Sequence, residues 1–181
     1  MIDGTQSSRT SRLIADGRTF SYLLHDGTPE IRVTQNDVRA IQLAKAALYA
    51  GARLLMDEME IDEVDRIVLA GAFGSHIDTR YAMILGLIPD CAPERVSSAG
   101  NAAGTGARIA LLNSAARGEI EDLVNRIEKI ETAVEPRFQE HFVEAMALPH
   151  KTAPYPNLRK VVDLPRTPKA ASGRGRRRRS R

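Results

Sequence analysis

Apolar positions along the chain recur in two periods. Between Thr34 and Met59 they fall at helical spacing, with Val38, Ile41, Ala44, Leu48, Ala52 and Leu55 on one stripe and Leu43, Ala47, Ala50 and Leu54 widening it. Thr34 and Asp37 stand at the spacing of a capping box, which places the start of that helix. Upstream, Thr19–Leu24 and Glu30–Thr34 are short β-rich runs on either side of Asp26-Gly27-Thr28-Pro29, and this pattern predicts a hairpin. Ile67–Ala70 is a β-branched and aliphatic run that ends at Gly71, the signature of a buried strand feeding a tight loop. Thr79–Leu87 reads as a helix stopped by Gly86 and Pro89, and Arg95–Ala99 as a short strand. Downstream the pattern predicts a buried alanine-rich helix over 107–116 and an amphipathic helix over 119–129 with Ile120, Leu123, Val124 and Ile127 inward. A brief strand at 130–133 and a last helix over 136–147 carrying Phe138, Phe142, Val143 and Met146 complete it. Residues 1–17 read as a polar linker, and residues 151–181 as a disordered Pro- and Arg-rich tail.

This order of elements predicts an α/β domain: a small mixed sheet with helices on both sides. The core must be built from Ala, Leu, Ile and Val, because aromatics make up only 4% of the 181 residues. Charge is segregated. The net charge of +3 comes from the end of the chain, where residues 166–181 hold eight Lys/Arg and no acid; the remainder has 18 basic against 23 acidic side chains. The Arg176–Arg179 run lacks the interleaved aromatics of a base-stacking surface and reads as a solvated tail, with a basic-tail nucleic-acid binder that grips phosphates as the further alternative. No apolar run reaches the roughly 20 residues of a membrane span, and neither a basic nor an apolar leader segment opens the chain, so the expected location is cytoplasmic. The single cysteine, Cys91, excludes an internal disulfide framework and an intramolecular iron–sulfur centre.

The candidate chemistry lies in two glycine-rich loops. Gly71-Ala72-Phe73-Gly74-Ser75 follows the strand at Ile67–Ala70, and Gly100-Asn101-Ala102-Ala103-Gly104-Thr105-Gly106 follows the second strand and opens a helix. Ligands in open α/β sheets sit at this carboxyl end of the strands. The Gly-x-x-Gly spacing argues against a dinucleotide fold, which needs Gly-x-Gly-x-x-Gly. Asn101 and Thr105 could face a nucleotide or cap the helix. His76 reads as a loop histidine, and His141 with Glu144 has metal-pair spacing but no third ligand. Lys45, Arg53 and Arg80 read as solvated faces or partner contacts, while Arg39 and Gln42 lie off the apolar stripe and could face an interface.

Taken together, Thr34–Lys45, Leu69–Gly74, Gly86–Pro89, Gly100–Ala107 and Phe138–Phe142 resemble, in order and spacing, the C-terminal part of the reductive activators of corrinoid proteins. That family belongs to the actin, sugar-kinase and chaperone ATPase superfamily. The resemblance spans about residues 18–150 and implies a ribonuclease-H-like, actin-like ATPase lobe. It further implies ATP (with Mg in the intact protein) as cofactor, and Gly71, Ala72, Phe73, Gly74 and Ser75 as the adenosine loop. Gly100, Asn101, Gly104, Thr105 and Gly106 would then lie at the base of that pocket. The partner implied is a corrinoid methyltransferase protein, whose Co(II) is reduced to Co(I). An iron–sulfur cluster is expected only in an N-terminal domain missing here, and no catalytic or metal-ligating residue is assigned to this chain. Ile2-Asp3-Gly4-Thr5 lacks one residue of the family's first phosphate loop, so the chain reads as a C-terminal fragment. A homodimerisation or partner-docking module is the alternative, and an exposed apolar patch on the helix of residues 35–58 would favour it.

Overall fold

The computed structural model describes residues 10–164. Three short strands come first: β1 (Leu13–Asp16), β2 (Thr19–His25) and β3 (Ile31–Val33) form an antiparallel sheet in sequence order. The hairpin expected over residues 19–34 is thus present. A strand also occupies part of what reads in sequence as linker, because Leu13, Ile14 and Ala15 pair with Tyr22, Ser21 and Phe20. Helix α1 (Gln35–Glu58) starts at the Thr34–Asp37 capping box, with the Thr34 hydroxyl accepting from the Asp37 N–H at 3.2 Å and the Asp37 carboxylate accepting from the Thr34 N–H at 2.8 Å. Strand β4 (Ile67–Ala70) leads into α2 (Ala72–His76) and α3 (Thr79–Leu85), the latter ended by Gly86 in the left-handed region. Strand β5 (Val96–Gly100) pairs with β4 in parallel and leads into α4 (Ala102–Leu112). Helices α5 (Ser114–Val124) and α6 (Pro136–Ala145) follow. The single mixed sheet expected from the pattern is resolved into two small sheets, one antiparallel and one parallel.

The core sits between α1, α3, α6 and the segment after α6. Ala46, Tyr49, Met83, Ile88, Cys91, Val96, Ala145, Tyr155, Leu158 and Leu164 pack together there. Two corrections follow from that placement. First, α1 buries Lys45, Ala46, Tyr49, Ala50, Leu54 and Met56, a face turned by roughly a third of a revolution from the predicted stripe. Ile41, Leu43, Leu48 and Leu55 are exposed instead, Leu48 at 50%. Second, residues 151–164 are not a loose tail. They are irregular but packed, with Tyr155 1% exposed, its hydroxyl donating to the Ile88 carbonyl, and Asp90 accepting from the N–H groups of Asn157 and Leu158 at 2.8 and 3.0 Å. The rest of the predicted tail, with its arginine run, lies outside the described residues.

The C-terminal helices also differ from the pattern. The helix after the second glycine loop begins at Ala102 and has no buried residue, and α5 turns Ile120, Leu123 and Val124 outward rather than inward. Residues 130–133 form no strand. Among the described residues, no helix is long and apolar enough to cross a membrane.

Candidate functional site

Parallel pairing of β4 with β5 brings the two glycine loops to one edge. The ladder runs Ile67–Val96, Val68–Ser97 and Leu69–Ser98, slips by one residue, and closes at Ala70–Gly100. Beyond it, the Gly71 N–H donates to the Gly100 carbonyl at 2.8 Å, so the first residues of the two loops are bonded to each other. Gly71 has φ +97° and Gly100 φ +61°, backbone that a side-chain-bearing residue adopts only with strain. A Cβ placed on either would meet nothing within 4 Å, so both peptide units border open space. Helix α4 rises from this edge with its N-terminus, and its unpaired N–H groups, on the same side.

The other glycines have local causes. At Gly74, buried against the strand, an added Cβ would lie 3.0 Å from the Leu69 carbonyl carbon and Cβ, so close packing of α2 on β4 by itself favours glycine there. Gly104 donates its N–H to the Asn101 side-chain oxygen at 2.9 Å, and an added Cβ would come within 2.7 Å of the Asn101 amide. Asn101 is therefore a helix cap. Thr105 accepts from Arg108 at 3.4 Å, and the Ser75 hydroxyl donates to the Ala72 carbonyl at 2.7 Å. A Cβ on Gly106 would meet open space, and Ala72 is exposed. The side chain of Phe73 lies outside the described positions. What the two loops offer a ligand is thus bare backbone at Gly71 and Gly100.

Beneath the first loop lies an apolar cavity of about 250 Å³ lined by Leu48, Val68, Leu69, Ala70, Gly74 and Ile77 among others. No carboxylate lines it. Among the described residues no three His, Cys, Asp or Glu side chains converge to hold a metal ion. His141 and Glu144 do not act as a pair: His141 Nε2 bonds the Asp57 carboxylate at 2.6 Å, and Glu144 accepts from Thr152 at 3.0 Å. Burial opposes ionisation of Asp57, but the His141 hydrogen bond and the Arg53 charge hold its carboxyl below the usual range.

Several polar residues do work that the pattern hides. Lys45, expected on a solvated face, is 1% exposed; its ammonium donates to the carbonyls of Ala147 and Pro149, tying α1 to the end of α6, and burial pulls its pKa down to about 8. Gln42 donates to the Met146 carbonyl at 3.0 Å, so it faces α6 as its off-stripe position suggests. Buried His150 accepts at Nδ1 from the N–H groups of Thr152 and Ala153, at 3.2 and 2.9 Å, and packs on Tyr49 with ring centres 4.7 Å apart. Burial, and the neighbouring Lys45 charge, lower its pKa. The Cys91 thiol is buried, its Sγ 3.7 Å from the Asp65 carbonyl, and burial raises its pKa, which fits an inert core residue. The polar partners of Lys45 and His150 are main-chain groups remote in sequence or in irregular structure, so residue spacing carries no signal for them.

With this geometry in view, comparison with known proteins is specific. A corrinoid activation enzyme, RamQ, from Eubacterium limosum is 42% identical over 131 residues, covering 70% of this chain and 22% of that enzyme. A solved structure described as a reductive activator for a corrinoid, iron–sulfur protein superposes with a TM-score of 0.71 at 29% identity, covering 83% of this chain and 25% of its own. The chain therefore spans about a quarter or less of the length of these relatives. Residues 2–159 match the family described as the C-terminal domain of RACo, the ASKHA domain, and the chain belongs to that family.

Proposed function

We propose that this chain forms the adenosine-facing wall of the nucleotide cleft in an ATP-dependent reductive activator of corrinoid proteins. The observation that carries the proposal is the Gly71–Gly100 hydrogen bond, which joins two loops of bare, positive-φ backbone at the carboxyl edge of a parallel strand pair. A flat purine can lie against such a surface, where any Cβ would hold it off. Gly71 to Ser75 would border the base and ribose, and Gly100, Asn101, Gly104, Thr105 and Gly106 the floor of the site. Bound ATP would supply the free energy that drives an unfavourable electron transfer to the corrinoid. This chain's own contribution is to bind and orient the nucleoside end. Its loops bring no carboxylate cluster, so groups that hold Mg and the phosphates would belong to other parts of the activator. One cysteine, buried, does not fit an iron–sulfur cluster, so the electron-carrying cluster would also lie elsewhere.

Calorimetric titration of the intact activator with ATP and ADP tests this. Gly71→Val forces a β-branched residue to φ +97° and places methyls over the proposed purine seat. It should weaken nucleotide affinity by about tenfold or more while the unbound protein still melts cooperatively. No affinity for adenine nucleotides, or unchanged affinity in a folded Gly71→Val protein, would end the proposal.

A second reading has its own support. The exposed stripe of Ile41, Leu48 and Leu55 on α1 is the apolar patch that favours an assembly module, either for homodimerisation or for docking a corrinoid methyltransferase protein. Light scattering on the purified chain separates these, since a nucleotide lobe alone has no need to self-associate.

A further inference from the structure

We infer that Ser98 is a positioning residue of the nucleotide site: its hydroxyl sets the conformation of Gly100 and so holds the second bare peptide where the nucleoside would lie. The inference rests on the nucleotide reading of the two loops and deepens it. Strand β5 holds one more residue than β4 at the end of the ladder, since Leu69 pairs with Ser98 and Ala70 with Gly100, which leaves Ala99 as the additional residue. Such a bulge bends its strand and interrupts the regular pairing, and bulges gather beside functional sites. Gly100, directly after it, turns to φ +61°.

Glycine reaches that angle without strain, but it is also the residue freest to leave it. Three hydrogen bonds remove this freedom at the two bare glycines. Gly71 is fixed on both sides, its N–H donating to the Gly100 carbonyl at 2.8 Å and its own carbonyl accepting from the Ser75 N–H at 3.1 Å. Gly100 is fixed through its carbonyl by the first of these bonds and through its N–H by the Ser98 hydroxyl, which accepts it at 3.2 Å. The rigid peptide units before and after the Gly100 Cα are thus both anchored, and φ and ψ are set together. Of these three bonds only the one to Ser98 uses a side chain, so it alone depends on which side chain is present. Asn101 follows immediately as the cap of α4, so the Gly100 turn also sets the direction in which that helix leaves the strand. Ser98 itself is exposed, so its loss should be felt at the loops rather than in the core.

The test compares two variants of the intact activator: Ser98→Thr, which keeps the hydroxyl, and Ser98→Val, which puts a methyl group in its place at nearly the same shape. Calorimetric titration with ATP should find affinity about three- to tenfold weaker in Ser98→Val and close to the parent value in Ser98→Thr. Both variants should melt like the parent. In the 181-residue chain, the Gly100 amide should exchange faster in Ser98→Val alone. Equal affinity in the parent and both variants, with Gly71→Val still weakened, would overturn the role of Ser98 and leave the nucleotide reading standing. Equal losses in both variants, or a loss in Ser98→Val that comes with a lower melting midpoint, would also overturn it, because neither is the signature of the hydrogen bond. A parent activator without affinity for ATP would remove the nucleotide reading and this inference with it.

Discussion

The C-terminal segment is latched by a histidine that must be neutral, and this makes it acid-labile in a defined way. His150 Nδ1 accepts two main-chain N–H groups, from Thr152 and Ala153, so its proton resides on Nε2. Protonation would put a second N–H where two donors already point, and both bonds would be lost. The groups facing the ring are Lys45 and Tyr49 from α1 and His141 and Glu144 from α6; Lys45 and His141 oppose its protonation, and only Glu144 favours it. With the folded pKa below the ordinary value of 6.5, the unfolded chain binds more protons in that window. Stability contributed by the latch is therefore complete above about pH 6.5 and declines as pH falls, by at most about 1.4 kcal/mol per pH unit. His150→Ala leaves two N–H groups without their acceptor and opens a cavity beside Tyr49. At about 1–3 kcal/mol for each unpaired buried group, reduced by whatever water reaches them, the expected loss is about 2–4 kcal/mol. Urea denaturation of the parent and of His150→Ala at pH 7.5, 6.5 and 5.5, with amide exchange read at residues 151–164, measures both quantities. The parent should lose stability toward pH 5.5 and exchange faster in that segment, and the variant should be weaker at pH 7.5 but flatter with pH. Parallel pH profiles for the two proteins would refute the latch.

Other outcomes follow from the same contacts. Wild-type stability should climb as pH rises from about 8 toward the ordinary lysine value of 10.5, because the folded state releases the Lys45 proton first; Lys45→Met should flatten that climb in denaturant titrations. Asn101→Ala removes the acceptor of the Gly104 N–H and should cost about 1 kcal/mol in urea denaturation, with amide exchange rising at the start of α4. Arg117 donates to the Ala110 and Leu111 carbonyls at 2.7 and 3.2 Å. Arg117→Ala should therefore speed exchange across the α4–α5 junction and leave α1 unchanged, at a cost of about 1 kcal/mol. The purified 181-residue chain should show no ATP turnover above buffer in a phosphate-release assay, since neither glycine loop carries a carboxylate to hold Mg or to activate water.

Local signals in the sequence carry most of the elements. The Thr34–Asp37 box fixes the start of α1, Gly86 ends α3, and the glycines after Ala70 and Ala99 mark the turn from strand to helix. What the pattern misassigns is which face is covered. Periodicity counts apolar positions on α1 and α5 but carries no information on where their partners come from. Ile41, Leu48, Ile120 and Leu123 are apolar and exposed within this domain. Lys45 is misread for the converse reason, because its charge is satisfied by two carbonyls about a hundred residues away. The strap over 151–164 carries Pro and Lys, which read as coil; the anchors Tyr155, Leu158 and Leu164 are too sparse to register as a period. At the site, Gly71 and Gly100 are legible as glycines that end strands. The separate causes at Gly74 and Gly104 are contacts with Leu69 and Asn101 that only coordinates reveal.

The claim that the joined loops form a purine seat is tested most directly by photolabelling the intact activator with an azido-adenine ATP analogue and mapping the modified peptides. Label should concentrate in the peptides containing residues 71–75 and 100–106 and be suppressed by excess unmodified ATP. ATP-competable label that falls wholly on other segments would contradict the assignment.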